Sequence, residues 1–141
     1  GYETAAVLFN GRPHLFYSDF SNGDLRHASW NGVAWGFATL DGHQNGPNGQ
    51  RDASVGGDPS AVLSGGRPNV FYYDGSNHRL RRGNWTATGW AFTDFDGHRN
   101  HASGQVLRPT GWDSSVLSAS GLPHIFYFQQ SDGYLRHAFL G

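Results

Sequence analysis

The sequence predicts an all-β protein, and three observations favour this fold class. Glycine accounts for 21 of the 141 residues and aromatic residues for 15 % of the chain, a composition typical of short strands joined by tight turns. Aromatic-rich runs are separated by Asn-Gly and Asp-Gly pairs, which favour hairpins. One long segment also recurs along the chain. We expect a single repeat domain spanning residues 1–141.

The repeat has a period of 55 residues and fixes the order of the elements. The matching pairs are Val7 and Val62, Pro13 and Pro68, Phe16 and Phe71, Tyr17 and Tyr72, Asp19 and Asp74, Leu25 and Leu80, Arg26 and Arg81, Trp30 and Trp85, Trp35 and Trp90, Phe37 and Phe92, Asp41 and Asp96, and His43 and His98. A third copy supplies Val116, Pro123, Phe126, Tyr127, Leu135, Arg136 and His137, with one residue inserted around 119–121. The units span about residues 1–55, 56–109 and 110–141.

Each complete unit predicts four strands in an up-and-down antiparallel meander. In the first unit these are about 6–9, 14–19, 24–30 and 35–40. The turns between them lie at Asn10-Gly11, Ser21-Asn22-Gly23 and Asn31-Gly32, and Asp41-Gly42 ends the last strand. Long polar links follow at 43–60 and 98–115, and segments of this length more often border a functional site than merely connect strands.

Tandem four-stranded meanders fit the blades of a β-propeller, each sheet packing between two neighbours. The chain then holds three blades, of which the third lacks its last strand. Since three blades cannot close a ring, we expect either oligomerisation, most simply a homodimer that completes a six-bladed ring, or that the chain is a fragment of a longer propeller. The alternative is a β-trefoil, which also has three four-stranded units but needs all of them complete.

The motif F-Y-x-D-x-x-N-x-x-L-R-H-A-x-W, followed by W-x-F-x-x-L-D-G, resembles the tandem repeats of bacterial fucose-binding β-propeller lectins and, more loosely, tectonin-type repeats. The resemblance covers almost the whole chain. It implies a lectin that is not an enzyme, with fucose or a similar neutral sugar as its ligand. The longer period and the Asp-Gly ending depart from that family.

The charge and composition of the chain narrow the classes of molecule that it can bind. A net charge of −1 and a pI near 6.8 give no basic field for a nucleic acid, and no apolar run approaches the length of a membrane span. The absence of cysteine excludes disulfides and thiolate metal sites. We therefore expect a carbohydrate or glycoconjugate as partner, no cofactor and no metal, and a secreted or cell-surface location.

The third strand of each unit carries the candidate sugar site. Period two places Arg26, Ala28 and Trp30 on one face, and a cation, a small residue and an indole in line leave a dent. A guanidinium can bind vicinal hydroxyls while an aromatic ring stacks on the C–H face of a sugar. The corresponding candidates in the other units are Arg81, Trp85 and Arg136.

Further candidates lie beside this dent or after the fourth strand. They are His27, His137, Trp35, Trp90, His43 and His98, whose ring N–H groups can donate to sugar hydroxyls. Packing is the alternative interpretation: the arginines can bond to a carbonyl or to Asp19 or Asp74, and Trp35 and Trp90 can anchor the sheets.

Three function classes follow. The first is a non-catalytic lectin whose repeated weak sites gain avidity from simultaneous engagement. The second is a protein-interaction or targeting module of a larger secreted protein. The third and least favoured is a glycosidase, because hydrolysis needs one unique pair of acids and the prominent aspartates are repeated.

Overall fold

The computed structural model describes residues 1–141 as eleven strands in three antiparallel sheets. The strands are β1 Tyr2–Phe9, β2 Arg12–Asp19, β3 Asp24–Trp30, β4 Trp35–Asp41, β5 Val55–Ser64, β6 Arg67–Asp74, β7 Arg79–Thr86, β8 Gly89–Asp96, β9 Trp112–Ala119, β10 Leu122–Gln129 and β11 Tyr134–Phe139. The prediction of an all-β protein is confirmed. Because the chain forms no helix, it has no helix that could cross a membrane.

Each sheet is a meander whose strands pair only with their neighbours in the sequence. The first sheet is β1–β4, the second is β5–β8 and the third is β9–β11. Asn10 and Gly11 both have positive φ, 52° and 71°, as the two central residues of a tight Asn-Gly hairpin turn require. No strand of one sheet pairs with a strand of another, so the β-trefoil alternative, a single barrel built from all three units, is wrong.

The first strand of each sheet begins earlier than predicted. β1 starts at Tyr2, and β5 starts at Val55, inside the predicted link of 43–60. Near the start of these strands the register shifts at a bulge that contains an acidic residue with positive φ. These residues are Glu3 (47°), Asp58 (46°) and Asp113 (49°). A bulge interrupts the period-two alternation, which is why the pattern indicated only the second half of each strand.

The third sheet keeps the 55-residue spacing of the other two. Pro123 pairs with Ser118, and 55 residues earlier Pro68 pairs with Leu63. The insertion predicted around Ala119–Gly121 is therefore wrong, because it rested on aligning two valines that lie on neighbouring positions of their strands.

Two apolar clusters hold the sheets together. The first junction, between the first and second sheets, buries Phe16, Leu25, Leu40, Val55, Val70, Tyr72 and Phe92. The second junction, between the second and third sheets, buries Phe71, Leu80, Ile125 and Tyr127. Strand β5 contacts both β1 and β9, so the first strands of the three sheets lie side by side. Burial at these junctions supplies the main driving force for folding.

Two sheet faces remain outside the junctions. The leading face belongs to the first sheet and carries Leu15, Tyr17, Arg26, Trp35 and Phe37; the trailing face belongs to the third sheet and carries Leu117, Phe126, Leu135 and His137. Phe37 is 66 % exposed, whereas Phe92, one period later, is 4 % exposed. Leu135 is 76 % exposed, whereas Leu80 and Leu25, one and two periods earlier, are fully buried. The two exposed faces thus carry the counterparts, one or two periods away, of side chains that are buried at the junctions.

Candidate functional site

Arg81 is the most buried of the predicted site residues, at 1 % exposure. Its Nε donates to Asp41 Oδ2 at 3.0 Å, and its Nη1 donates to Asp94 Oδ1 at 2.9 Å. Its Nη2 donates to the Gly49 carbonyl at 2.7 Å. The hydroxyl of Tyr72 donates to the same Asp41 oxygen at 2.7 Å, and burial together with Asp41 raises the pKa of Tyr72. Arg81 therefore ties the second sheet to the end of β4 and to the link that follows it.

The same arrangement recurs at the second junction. The hydroxyl of Tyr127 donates to Asp96 Oδ2 at 2.7 Å, and Nε of Arg136 donates to that oxygen at 3.1 Å. Nη2 of Arg136 donates to the Gly104 carbonyl. At both junctions the guanidinium bonds to a carbonyl of the link, as the packing interpretation expected, and to an aspartate of the preceding sheet. The aspartates are Asp41 and Asp96, so the predicted partners Asp19 and Asp74 are wrong. Sugar binding by Arg81 and Arg136 stays a prediction.

Arg26 has no aspartate of a preceding sheet. It lies on the leading face, paired across the strands with Tyr17, and its Nη1 donates to Thr39 Oγ1 at 2.8 Å. Its other N–H groups make no hydrogen bond within the chain.

The predicted tryptophans form two cross-strand pairs. Trp30 lies opposite Trp35 with ring centroids 5.6 Å apart, and Trp85 lies opposite Trp90 at 5.5 Å. Trp90 also packs edge-on against Phe16 at the first junction, which makes it part of the packing between sheets. Both pairs sit at the turn between the third and fourth strands.

The predicted histidines have different environments. His27 is buried at the first junction, where it hydrogen-bonds His14 at 2.9 Å and meets Trp90 edge-on at 5.8 Å. Burial and the neighbouring His14 lower the pKa of His27 to about 4. His137 makes the same 2.9 Å contact with His124, but on the exposed trailing face.

His43 and His98 lie in the links after β4 and β8. His43 is exposed, whereas Nδ1 of His98 is buried without a hydrogen-bond partner, and burial lowers the pKa of that ring. Neither residue lines the cavity between the first two sheets.

A cavity of about 280 Å³ opens between the first two sheets at the end opposite the tryptophan pairs. We call it the first-junction cavity. It is lined by Glu3, Ser18, Asp19, Phe20, Gly23, Ser54, Val55, Gly57, Asp58, Tyr73, Gly75, His78 and Trp112. Its lining combines residues of the first two sheets with Trp112, the first residue of the third sheet. None of the lining residues belongs to the predicted site.

Aromatic rings form part of the cavity wall. The Trp112 ring packs on Tyr73 with centroids 4.8 Å apart, and the Tyr73 hydroxyl lies 2.6 Å from His78 Nδ1. Burial raises the pKa of Tyr73, so its hydroxyl stays protonated over the physiological range. Trp112 is 37 % exposed, which leaves part of the indole accessible from the cavity.

Two of the carboxylates that line the cavity are those of Glu3 and Asp58. Glu3 Oε2 accepts the Asp58 backbone N–H at 2.8 Å, and Asp58 Oδ2 accepts the Asp113 backbone N–H at 3.1 Å. Burial and the nearby Glu3 raise the pKa of Asp58. Oδ1 of Asp58 accepts no hydrogen bond from the chain, so it can accept one from a ligand.

Two residues of the cavity differ from their counterparts in the other repeats. Gly57 leaves the space open, whereas the corresponding position holds Tyr2 in the first sheet and Trp112 in the third. His78 likewise corresponds to Gly23 and Gly133. The period-55 comparison selects what recurs, and so it passes over this site. The one signal that could have found it is the acidic residue shared by positions 3, 58 and 113.

Comparison with known proteins adds a likeness of fold. No protein-family model matches the sequence, and no curated protein is significantly similar to it. The chain resembles a fucose lectin from Kordia zhangzhouensis, solved in complex with methyl-fucoside, with a TM-score of 0.55 and 16 % identity over 97 % of this chain and 91 % of that one. The two proteins therefore share an all-β fold.

A second similar structure is the fucose-specific lectin from Aleuria aurantia. Its TM-score is 0.45 at 16 % identity, over 96 % of this chain and 43 % of that one.

Proposed function

We propose that this chain is a non-catalytic, carbohydrate-binding lectin whose three sheets are blades of a β-propeller. The fold shared with the Kordia zhangzhouensis fucose lectin supports the lectin class. Because that lectin was solved with methyl-fucoside, fucose or a similar neutral sugar is the first ligand to test. A glycan-bearing surface outside the cell is the expected target.

The observation that carries this proposal is the first-junction cavity. A monosaccharide presents hydroxyl groups that donate to carboxylates and a C–H face that stacks on an aromatic ring. The cavity offers both, because Asp58 and Trp112 line it together. Pockets that combine apolar walls with a few placed polar groups are the usual form of small-ligand sites.

Multivalency would come from assembly of several chains, each of which carries the first-junction cavity. The leading face of one copy and the trailing face of another carry the same residues that pack at the two junctions, so two copies can dock head to tail. Two copies joined at both contacts make a six-bladed ring with two cavities. Sedimentation equilibrium tests this: a single dimer is expected, and a monomer at micromolar concentration overturns it.

Titration calorimetry with methyl-fucoside and a panel of neutral monosaccharides tests the sugar function. One sugar should bind with a Kd in the micromolar to millimolar range, and Trp112→Ala or Asp58→Asn should weaken it at least tenfold. No heat with any sugar at millimolar concentration would contradict the proposal.

Trp85→Ala is the matched control, since Trp85 and Trp112 are both 37 % exposed and only Trp112 lines the cavity. Unchanged affinity is expected for this variant. If Trp85→Ala abolishes binding while Trp112→Ala does not, the site is the dent predicted from the sequence and not the first-junction cavity.

One observation favours a glycosidase as the second candidate. Glu3 and Asp58 lie in one cavity, and burial together with Glu3 raises the pKa of Asp58, as a general acid requires. Chromogenic glycosides test it: turnover that Asp58→Asn abolishes would replace the lectin proposal, and no turnover leaves the lectin.

A further inference from the structure

The first-junction cavity carries negative charge that the chain does not balance. Its lining includes the carboxylates of Glu3, Asp19 and Asp58 but no arginine, and the chain contains no lysine. None of these three acids forms a salt bridge. His78 is the one lining residue that can become positively charged, and its Nδ1 already bonds to the Tyr73 hydroxyl. The cavity is therefore electronegative.

Two of the carboxylates keep an oxygen free. Glu3 Oε1 and Asp58 Oδ1 accept no hydrogen bond from the chain, whereas Asn22 donates to both oxygens of Asp19, at 3.4 and 2.9 Å. Burial, followed by the negative charge of Glu3, raises the pKa of Asp58, so the two carboxylates lie close enough to repel each other. A positive charge within reach of both would relieve this repulsion.

The acids of the cavity favour an ammonium group over a metal ion. A divalent cation needs several oxygen ligands that converge on one point, and no group of three His, Asp or Glu side chains in this chain could hold one. An ammonium group donates up to three hydrogen bonds in different directions, so it can serve two free oxygens without further ligands. Such charge-assisted bonds are roughly twice as strong as neutral ones.

The second junction shows why the first one has open space. Trp112 of the third sheet packs on Tyr73 of the second with ring centroids 4.8 Å apart. One period earlier, Gly57 and Ser18 take the places of these two aromatic residues. The resulting cavity of about 280 Å³ lies just below the range of about 300–1,000 Å³ that is usual for drug-sized ligands. This size suits one sugar ring better than a longer glycan.

We propose that the first-junction cavity binds an amino sugar with a free ammonium group, held by the Glu3 and Asp58 carboxylates while its C–H face stacks on Trp112. This inference rests on the proposed lectin function and narrows the ligand to sugars that carry a positive charge. Sugars with carboxylate or sulfate groups are excluded, because the unbalanced acids of the cavity repel them.

Glucosamine and N-acetylglucosamine are the matched ligands, because they share one ring and differ in the charge at one nitrogen. Titration calorimetry with the full chain is done at about pH 6, where an amine is protonated. Glucosamine should bind at least tenfold more tightly than N-acetylglucosamine or methyl-fucoside, as two charge-assisted bonds allow. Added salt should reduce this preference, since it screens the charges.

Glu3→Gln tests the pair of acids. The amide oxygen can still accept the Asp58 N–H, so the variant loses one negative charge and keeps the bond between the sheets. Its preference for glucosamine over N-acetylglucosamine should fall about fivefold to tenfold. Asp113→Asn is the matched control, because Asp113 occupies the corresponding bulge of the third sheet but does not line the cavity. Its preference should change less than about twofold, and an equal fall in both variants would overturn the assigned role of Glu3.

Gly57→Trp tests the location of the ligand. The φ of Gly57 is not positive, and an added Cβ would lie 3.7 Å from the nearest atom, on Tyr73. Tyr2 and Trp112 occupy this position in the other two sheets, so the strand accepts an aromatic residue there. The indole should fill the cavity and weaken glucosamine binding at least tenfold, while urea denaturation verifies the fold. Unchanged binding would overturn the inference.

The ligand series distinguishes failure of this inference from failure of the lectin proposal. If N-acetylglucosamine or methyl-fucoside binds as tightly as glucosamine, the lectin stands and the amino-sugar inference is overturned. If methylammonium chloride competes as well as glucosamine at equal concentration, the cavity selects a cation without reading the sugar ring, which also overturns it. If none of these sugars binds, the lectin proposal fails as well.

Discussion

The first junction and the two exposed faces carry the same repeated residues in different surroundings. At the junction Arg81 is closed in by Asp41, Asp94 and Tyr72, whereas Arg26 on the leading face keeps N–H groups without partners. On the trailing face the His124–His137 contact lies open. The role of each repeated residue is thus set by the sheet that packs on it.

The largest expected effect comes from removing the acid of the first junction. Asp41→Ala leaves the Arg81 guanidinium buried without its main partner, and breaking such a buried pair costs about 3–5 kcal/mol of unfolding free energy. Urea denaturation measures it. Asp96→Ala, whose partner Arg136 has a side chain that is 23 % exposed, should cost clearly less. Equal small losses would show that burial at the first junction adds nothing.

Gly56→Ala tests how closely the sheets approach at the first junction. Gly56 has φ of 89°, and an added Cβ would lie 2.7 Å from the Leu25 Cα of the first sheet. Left-handed strain and overlap with backbone together should cost roughly 2–4 kcal/mol. Gly11→Ala, with positive φ but nothing within 4 Å, should lose only about 1 kcal/mol in the same urea titration.

The buried His27 and the exposed His137 are expected to differ in how they make the stability of the fold depend on pH. The pKa of His27 is lowered to about 4 in the folded chain, while an unfolded histidine titrates near 6.5. Between these values the unfolded chain binds a proton that the folded chain excludes. The contribution of neutral His27 to the free energy of unfolding is therefore fully present above about pH 6.5. Roughly 2–3 kcal/mol of that free energy is lost as the pH falls to about 4.

His27→Gln should flatten this slope in denaturation curves collected from pH 7 to 4. His137→Gln, the same change on the exposed trailing face, should leave it as in the wild type. Similar slopes in all three proteins would assign the acid sensitivity to other groups, such as the carboxylates.

The smallest effect is expected at the leading face. Arg26→Ala removes one hydrogen bond to Thr39 on an exposed surface, so the free energy of unfolding should change by less than about 1 kcal/mol. The same variant should weaken dimerisation if the leading face docks on a second copy. A loss as large as that of Asp41→Ala would mean that Arg26 already has a buried partner.

Much of the fold could be predicted because turn residues mark the strand ends. β3 runs from Asp24 to Trp30 as predicted, since Asn-Gly turns lie on both sides. The start of β1 could not be predicted because the bulge at Glu3 breaks the alternation. An acidic residue with positive φ cannot be recognised from the sequence of one repeat alone.

The candidate site was harder to predict, for two physical reasons. The period paired Arg26 with Arg81, but the burial of Arg81 depends on Asp41, which lies 40 residues away in another sheet. The first-junction cavity depends on Gly57 and Trp112, which differ from their counterparts in the other repeats. Repetition in the sequence therefore indicates what holds the sheets together, and the exceptions to it indicate where a ligand fits.

The hydrogen bonds from the Asp58 N–H to Glu3 and from the Asp113 N–H to Asp58 join successive sheets in the same direction along the chain. In both bonds the carboxylate of one sheet accepts from the backbone of the sheet that follows it. Units joined through such one-way contacts rotate by the same angle at every step. The rotation angle between two neighbouring sheets therefore determines whether such units close into a ring or continue as an open helical assembly.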